Sequence, residues 1–153
     1  MKRTALPLLL VVFMLVATAC GSAAKPAPTA DAPAQSAPAA GAANQVVVTL
    51  GDNTIDSTQT AFKIGVPYTF VIKNNGNHLH NFNIAQPVSV TGSEDASLSS
   101  AFLVVTQDKL PIGGGTTVQY TFPSSAVGMS LELSCLIRRH YEDGMRLAIT
   151  VTN

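Results

Sequence analysis

Residues 135–145, CLIRRHYEDGM, place Cys135, His140 and Met145 at intervals of five. The whole chain has only two Cys, three His and four Met, so this segment concentrates residue types that are otherwise scarce. Five is neither the spacing of four along a helical face nor the spacing of two along a strand face. The three side chains can therefore meet only if the segment folds as a loop around one point.

His80 is the candidate for a fourth ligand, because strand alternation places it at an end of the core. It shares a predicted strand face with Phe82 and Ile84, whereas Cys135 ends a strand whose inward face includes Leu133. Both side chains are expected to point inward where loops cover the core. A buried thiol and a buried imidazole are costly without partners, and a shared metal ion satisfies both.

These four ligands select copper among the biological metals. Thiolate and thioether are soft, imidazole suits copper in either oxidation state, and zinc sites seldom use Met. A trigonal set of two His and one Cys with a weak axial Met is typical of blue copper electron-transfer sites. The alternative for Cys135 is a buried, inert thiol without metal.

The N-terminal segment has the features of an export signal followed by a tether. Lys2 and Arg3 precede an apolar run over 5–19, which is shorter than the roughly 20 residues of a membrane span. The run ends in small residues before Cys20 and resembles a bacterial lipobox, so residues 1–20 are predicted to be a lipoprotein signal peptide with Cys20 lipidated. Ordinary cleavage and a plain membrane-anchor helix are the alternatives. Residues 21–44 contain eleven Ala and four Pro and predict a disordered tether.

The remaining residues, 45–153, are enough for one domain with its own core. From Cys20 onward there are seven Lys and Arg against nine Asp and Glu, a net charge of −2, so nothing indicates a nucleic-acid partner. Exported proteins generally use cysteines in disulfides. If Cys20 is lipidated, Cys135 has no partner within the chain, which favours burial or metal binding.

Alternating apolar residues with Gly, Pro and Asn between them predict an all-β, antiparallel sandwich. Residues 85–110 fit this pattern less well. There, 92–95 are predicted to form a loop and 96–105 a short helix that runs into a strand, outside the sandwich. The predicted strands lie within 45–50, 66–73, 80–84, 118–122, 131–135 and 147–151.

Two motifs, NNGNHLHNF at 74–82 and C-x₄-H-x₄-M at 135–145, resemble those of the cupredoxins, the small blue copper proteins. The tethered export signal and the ligand spacing are similar to those of the auracyanin-like and sulfocyanin-like members, and the chain also resembles plastocyanin. The resemblance implies a Greek-key β-sandwich over 45–153 and a hydrogen bond between Asn81 and the loop that carries the cysteine. It also implies one type 1 copper ion, with His80, Cys135, His140 and Met145 as its ligands.

The chain departs from this family just before the second histidine, where many relatives have Pro-Gly and this sequence has Arg138 and Arg139. Together with Tyr141, these residues are candidates for docking an acidic or phosphate-bearing partner. A solvated loop for the two arginines and simple packing for Tyr141 are the alternatives. His78 is expected to be an exposed loop histidine, with a substitute or second weak copper contact as the other interpretation.

The predicted function is the transfer of single electrons between redox proteins by Cu(II)/Cu(I) cycling. The expected partners are a donor and an acceptor, such as a cytochrome or a respiratory or photosynthetic complex, and a membrane reached through the lipid anchor. The protein is expected to be a monomer in the periplasm or on the extracytoplasmic face of the membrane. A periplasmic copper chaperone or store is the alternative. A copper enzyme would need further histidines, and no other catalytic motif is present, so no enzymatic activity is predicted.

Overall fold

The computed structural model describes residues 44–153, which form a sandwich of two β-sheets. One sheet has the strand order β2-β1-β4-β7 and the other has the order β3-β9-β8-β5-β6. The strands are β1 (Gln45–Leu50), β2 (Ile55–Ser57), β3 (Ala61–Lys63), β4 (Pro67–Asn74), β5 (Phe82–Ala85), β6 (Leu103–Val105), β7 (Gly115–Thr121), β8 (Leu131–Ser134) and β9 (Arg146–Thr152). The helices are α1 (Val88–Thr91) and α2 (Glu94–Ser99), with 3₁₀ turns at Gln107–Lys109 and Ser124–Ala126.

The predicted signal peptide, the lipidation site Cys20 and all of the predicted tether except Asn44 lie outside these residues. Within residues 44–153, neither helix has the length and apolar character needed to cross a membrane.

The predicted all-β sandwich is confirmed, but its strands are not all antiparallel. β1 pairs with β4 in parallel, and β3 pairs with β9 in parallel. Alternation reports which face of a strand is buried and says nothing of the direction of its neighbour, so this part of the prediction was wrong. The β1–β4 pairing matters for the site, because Leu50 lies opposite Asn74 and both strands end at the same edge.

Alternate residues of the strands fill the space between the sheets. In β4, Tyr68, Phe70 and Ile72 are buried, as the alternating pattern predicts. The ring of Phe62 packs 5.0 Å from that of Tyr68 and 4.9 Å from that of Phe122. This aromatic cluster lies at the start of β4, which leaves the end of β4 for the polar turn that leads to His80.

The segment between β5 and β6 packs outside the sandwich and corrects one detail of the sequence prediction. Glu94 and Asp95 belong to the first turn of α2 rather than to a loop. The Ser93 hydroxyl caps this helix by accepting a hydrogen bond from the Ala96 N–H at 3.1 Å, and acidic residues stabilise a helix start. A second apolar cluster joins this segment to Ala85 and Tyr141, so β5 is covered on both faces.

Candidate metal centre

His80 is positioned by the turn that follows β4. The buried side chain of Asn74 donates from Nδ2 to the carbonyls of His78, at 2.9 Å, and Leu110, at 3.1 Å. Its Oδ1 accepts from the Gly76 N–H at 3.0 Å. These bonds fix the path of the turn, and His80 at its end is 0% exposed.

The ligand loop, residues 135–145, connects β8 to β9 and closes on itself through backbone hydrogen bonds. Cys135 N donates to Met145 O at 3.0 Å, and Met145 N donates to His140 O at 3.0 Å. His140 N donates to Ile137 O at 2.9 Å. The two intervals of five residues therefore become two turns of one closed loop, which brings its ends and its midpoint together.

Arg139 adopts a left-handed backbone conformation, with φ of 73°, immediately before His140. Among residues 44–153 it is the one residue other than glycine with a positive φ. Its carbonyl accepts a hydrogen bond from the Asp143 N–H at 2.9 Å, which holds this turn of the ligand loop. A β-carbon in this conformation comes close to the following carbonyl oxygen, a contact that glycine would avoid.

Three of the four predicted ligands converge on one point. The Nδ1 atoms of His80 and His140 are 3.1 Å apart, and Cys135 Sγ lies 3.9 Å from the first and 3.5 Å from the second. A point equidistant from the corners of this triangle lies about 2.0 Å from each atom, close to metal–imidazole distances and slightly inside metal–thiolate distances. The three side chains therefore fit a single small metal ion.

Met145, the fourth predicted ligand, is 0% exposed and packs in the same apolar cluster as Cys135. Its main chain is hydrogen-bonded to both Cys135 and His140. The soft sulfur of a buried Met beside a Cys and two His favours copper over zinc.

Burial favours the uncharged forms of the ligands in the absence of a cation. It lowers the pKa of His80, with the neighbouring His140 as a second cause. It also raises the pKa of the Cys135 thiol, against which the backbone N–H groups of Ile137 and Asn81 act. A bound metal cation reverses this balance by stabilising the thiolate directly.

Asn81 lies where the resemblance places it, between β5 and the ligand loop. Its Oδ1 accepts from the Leu136 N–H at 2.8 Å and from Asn83 Nδ2 at 2.8 Å. Asn83 Nδ2 also donates to the Ser134 carbonyl at 3.2 Å. The residues on both sides of Cys135 are thereby tied to β5. Alternation places Asn83 on the strand face opposite Phe82 and Ile84, yet it is 0% exposed because the segment with the two helices covers that face of β5.

Asp52 is a residue of this region that sequence reasoning missed. Its Oδ1 accepts from the Asn77 N–H at 2.6 Å and lies 3.0 Å from His78 Nδ1, and its Oδ2 accepts from Asn77 Nδ2 at 3.0 Å. The two bonds from Asn77 are the main cause that lowers the pKa of Asp52 to about 2. The parallel pairing of β1 with β4 brings Asp52 to the turn before His80, and alternation gave no signal of this pairing.

The rim of the centre differs in part from the sequence prediction. Arg138 and Arg139 are exposed, as a docking role requires, whereas the Tyr141 side chain is buried and its hydroxyl accepts from the Val88 N–H at 3.1 Å. Tyr141 is therefore a packing residue. His78 is exposed and lies outside the converging group, where it contacts Asp52 instead.

The sequence matches no family model and no curated protein. Solved structures do match. Reduced auracyanin from the photosynthetic bacterium Roseiflexus castenholzii gives a TM-score of 0.56 at 20% identity, over 74% of this chain and 100% of that chain. Auracyanin B gives a TM-score of 0.51 at 18% identity, over 72% of this chain and 90% of that chain. The chain has the cupredoxin fold.

In this cupredoxin fold, the turn before β5 and the loop between β8 and β9 supply the converging side chains. The cupredoxin-like β-sandwich predicted from the sequence is thereby confirmed, apart from the two parallel strand pairs. The likeness to known structures concerns the fold, and it is the geometry of His80, Cys135 and His140 that indicates a metal centre.

Proposed function

We propose that this protein is a blue copper electron carrier. One copper ion would be held by His80, Cys135 and His140, with the thioether of Met145 as a fourth, weaker donor. The observation that carries the proposal is the triangle of two Nδ1 atoms and one Sγ, with sides of 3.1, 3.5 and 3.9 Å, in a site closed by the core.

When bound, copper supplies the one-electron couple between Cu(II) and Cu(I). The protein contributes a ligand set that is fixed in advance, because the backbone bonds of the ligand loop and the bonds of Asn81 hold the donor atoms in place. Such a site changes little in geometry when the charge of the metal changes, which suits rapid electron exchange. His140 is partly exposed while His80 is fully buried, so we infer that electrons enter and leave at the His140 edge.

We also infer that the protein works at a membrane surface, between two redox partners. The signal sequence and Cys20 support anchoring to the extracytoplasmic face of a membrane. A tether of 24 residues, if extended, would reach roughly 75 Å, far enough for the domain to meet a donor and an acceptor in turn. The exposed Arg138 and Arg139 beside His140 would contact acidic or phosphate-bearing groups of such partners.

Copper binding is tested by titrating Cu(II) into the full-length protein, purified in mild detergent, and recording visible and electron paramagnetic resonance spectra. We expect one equivalent to give the intense thiolate-to-copper absorption and narrow hyperfine splitting of a type 1 site. Cys135→Ser and His140→Ala should abolish both signals, whereas His78→Ala should keep them. Survival of the absorption in Cys135→Ser would refute the proposal.

The alternative role, copper delivery or storage, is separated by redox cycling. The buried ligands favour retention of the metal in both oxidation states. We expect repeated reduction and reoxidation to leave copper in the protein when a Cu(I) chelator is present. Release of the metal at each reduction would support a chaperone instead.

Anchoring is tested separately by the Cys20→Ser variant. If Cys20 carries lipid, the wild-type protein will fractionate with membranes and incorporate labelled fatty acid, and the variant will do neither. Equal membrane fractionation and no labelling of the wild-type protein would show that Cys20 is not the anchor.

A further inference from the structure

The second ring nitrogen of His80 lacks a hydrogen-bond partner in the described part of the chain. His80 turns Nδ1 toward Cys135 and His140, so Nε2 is the atom that points away from the converging group. A neutral imidazole that binds a metal through Nδ1 must carry its proton on Nε2. Since His80 is 0% exposed, that N–H needs a partner from the protein.

The carboxylate of Asp52 is the acidic group that faces this nitrogen. Asp52 Oδ1 lies 4.0 Å from His80 Nε2. The same oxygen accepts the Asn77 N–H at 2.6 Å and lies 3.0 Å from His78 Nδ1. These two groups fix the carboxylate at the mouth of the turn, so its negative charge is directed at the far side of the His80 ring.

Gly76 makes this approach sterically feasible. A β-carbon at this position would lie 2.8 Å from His80 Nε2 and 2.6 Å from Asp52 Oδ1. Both distances are shorter than any ordinary contact of a β-carbon. A side chain here would separate the carboxylate from the imidazole, so glycine is required for the two groups to face one another.

We propose that Asp52 is a positioning residue that acts on the metal through His80. The negative charge of its carboxylate lies 4.0 Å from His80 Nε2, beyond hydrogen-bond distance, and favours the tautomer with the proton on Nε2, which leaves Nδ1 free as the ligand atom. Its negative charge also stabilises Cu(II) relative to Cu(I). Metal-binding histidines commonly donate their second N–H to a group of this kind. The statement about Cu(II) rests on the proposed copper site, whereas the statement about the His80 proton does not.

The alternative is a purely structural role, in which Asp52 only stabilises the turn by bonding to Asn77 and His78. That role predicts lower stability without Asp52 but no change in the His80 tautomer or in the reduction potential. Asp52→Asn separates the two roles, because the amide keeps an oxygen that can accept the Asn77 N–H and loses the negative charge. Asp56→Asn is the matched control, since it removes the same charge from an exposed position of the neighbouring strand β2.

The first measurement uses the metal-free full-length protein at pH 8. Nitrogen-15 chemical shifts of the His80 ring should show the Nε2–H tautomer in the wild type and in Asp56→Asn. In Asp52→Asn, the ratio of Nε2–H to Nδ1–H should fall at least threefold. An unchanged ratio would overturn the proposal whatever the copper chemistry of the protein.

The second measurement uses the copper-loaded full-length protein. Loss of such a partner typically weakens metal affinity 10- to 100-fold. A tenfold loss of affinity for Cu(II), with the affinity for Cu(I) unchanged, raises the one-electron reduction potential by about 59 mV. We expect Asp52→Asn to show at least this rise and Asp56→Asn to show none. Equal potentials in both variants, with an intact type 1 spectrum in the wild type, would overturn the inference and leave the proposed function standing.

If Asp52→Asn does not fold, Gly76→Ala provides the same test. Its β-carbon would separate the His80 ring from the Asp52 carboxylate, while the carboxylate itself remains. It should shift the tautomer ratio and the potential in the same direction, and no shift would overturn the proposal. A wild-type protein that binds no copper would instead refute the proposed function and the Cu(II) part of this inference. The tautomer measurement would still decide whether Asp52 acts on His80.

Discussion

Replacing Arg139 by glycine tests whether the turn before His140 is under strain. The left-handed φ of 73° brings the Arg139 β-carbon against the following carbonyl oxygen. Relief of this contact contributes about 1–2 kcal/mol. Glycine is also more flexible in the unfolded chain, which costs about 0.4–1 kcal/mol. We therefore expect Arg139→Gly to raise the free energy of unfolding by roughly 0.5–1 kcal/mol, or a few degrees in Tm.

The assay is urea-induced unfolding of the metal-free protein, followed by circular dichroism. The hydrogen bond from Asp143 N to the Arg139 carbonyl involves only the main chain, so it survives the substitution. Arg138→Gly is the matched control, because it removes the same side chain from the adjacent residue, whose φ is not positive. Glycine at position 138 makes the unfolded chain more flexible and relieves no strained backbone contact. We therefore expect Arg138→Gly to lower the free energy of unfolding by about 0.5–1 kcal/mol.

Equal effects of the two substitutions, or a loss of stability in Arg139→Gly, would contradict the strained conformation. The result also bears on function. If Arg139→Gly is more stable yet exchanges electrons more slowly with an acidic partner protein, the arginine side chain contributes to partner binding at a cost in stability.

Three further predictions concern the surroundings of the metal centre. Asn81→Ala leaves the Leu136 N–H without its acceptor and should lower the free energy of unfolding by about 1–3 kcal/mol in urea titrations. Met145→Leu should raise the reduction potential of the copper form by about 60 mV or more, through a tenfold loss of Cu(II) relative to Cu(I) affinity, whereas Met129→Leu should not. Burial raises the pKa of Glu132, so its contribution to stability is present at low pH and is lost as pH rises through the folded-state pKa. Glu132→Gln cannot ionise, so its stability relative to the wild type should be greater at pH 8 than at pH 4 in urea titrations.

Much of the sandwich and the converging ligands could be predicted from the sequence, because their signals are local. Alternation gave the faces of β1, β4, β8 and β9, and strand parity placed His80 and Cys135 at the end of the core. The ligand loop was predicted as a loop because a spacing of five fits neither regular structure. The three-residue strands β2 and β3 were missed because they are too short for alternation to show.

The other omissions arise from relations between distant parts of the chain. Asp52 meets His80 only because β1 and β4 run in parallel, and no local pattern carries that direction. Asn83 and Tyr141 are buried because the helices between β5 and β6 cover the outer face of the sheet. Arg139 has a left-handed backbone because the ligand loop closes there, although a residue with a β-carbon prefers a negative φ.

The most direct test of the copper site is a crystal structure of the Cu(II)-loaded full-length protein, with anomalous scattering recorded at the copper absorption edge. We predict one strong anomalous peak about 2.0 Å from the Nδ1 atoms of His80 and His140 and within bonding distance of Cys135 Sγ. A peak at His78 and Asp52 instead, or none between the three predicted ligands, would contradict the account.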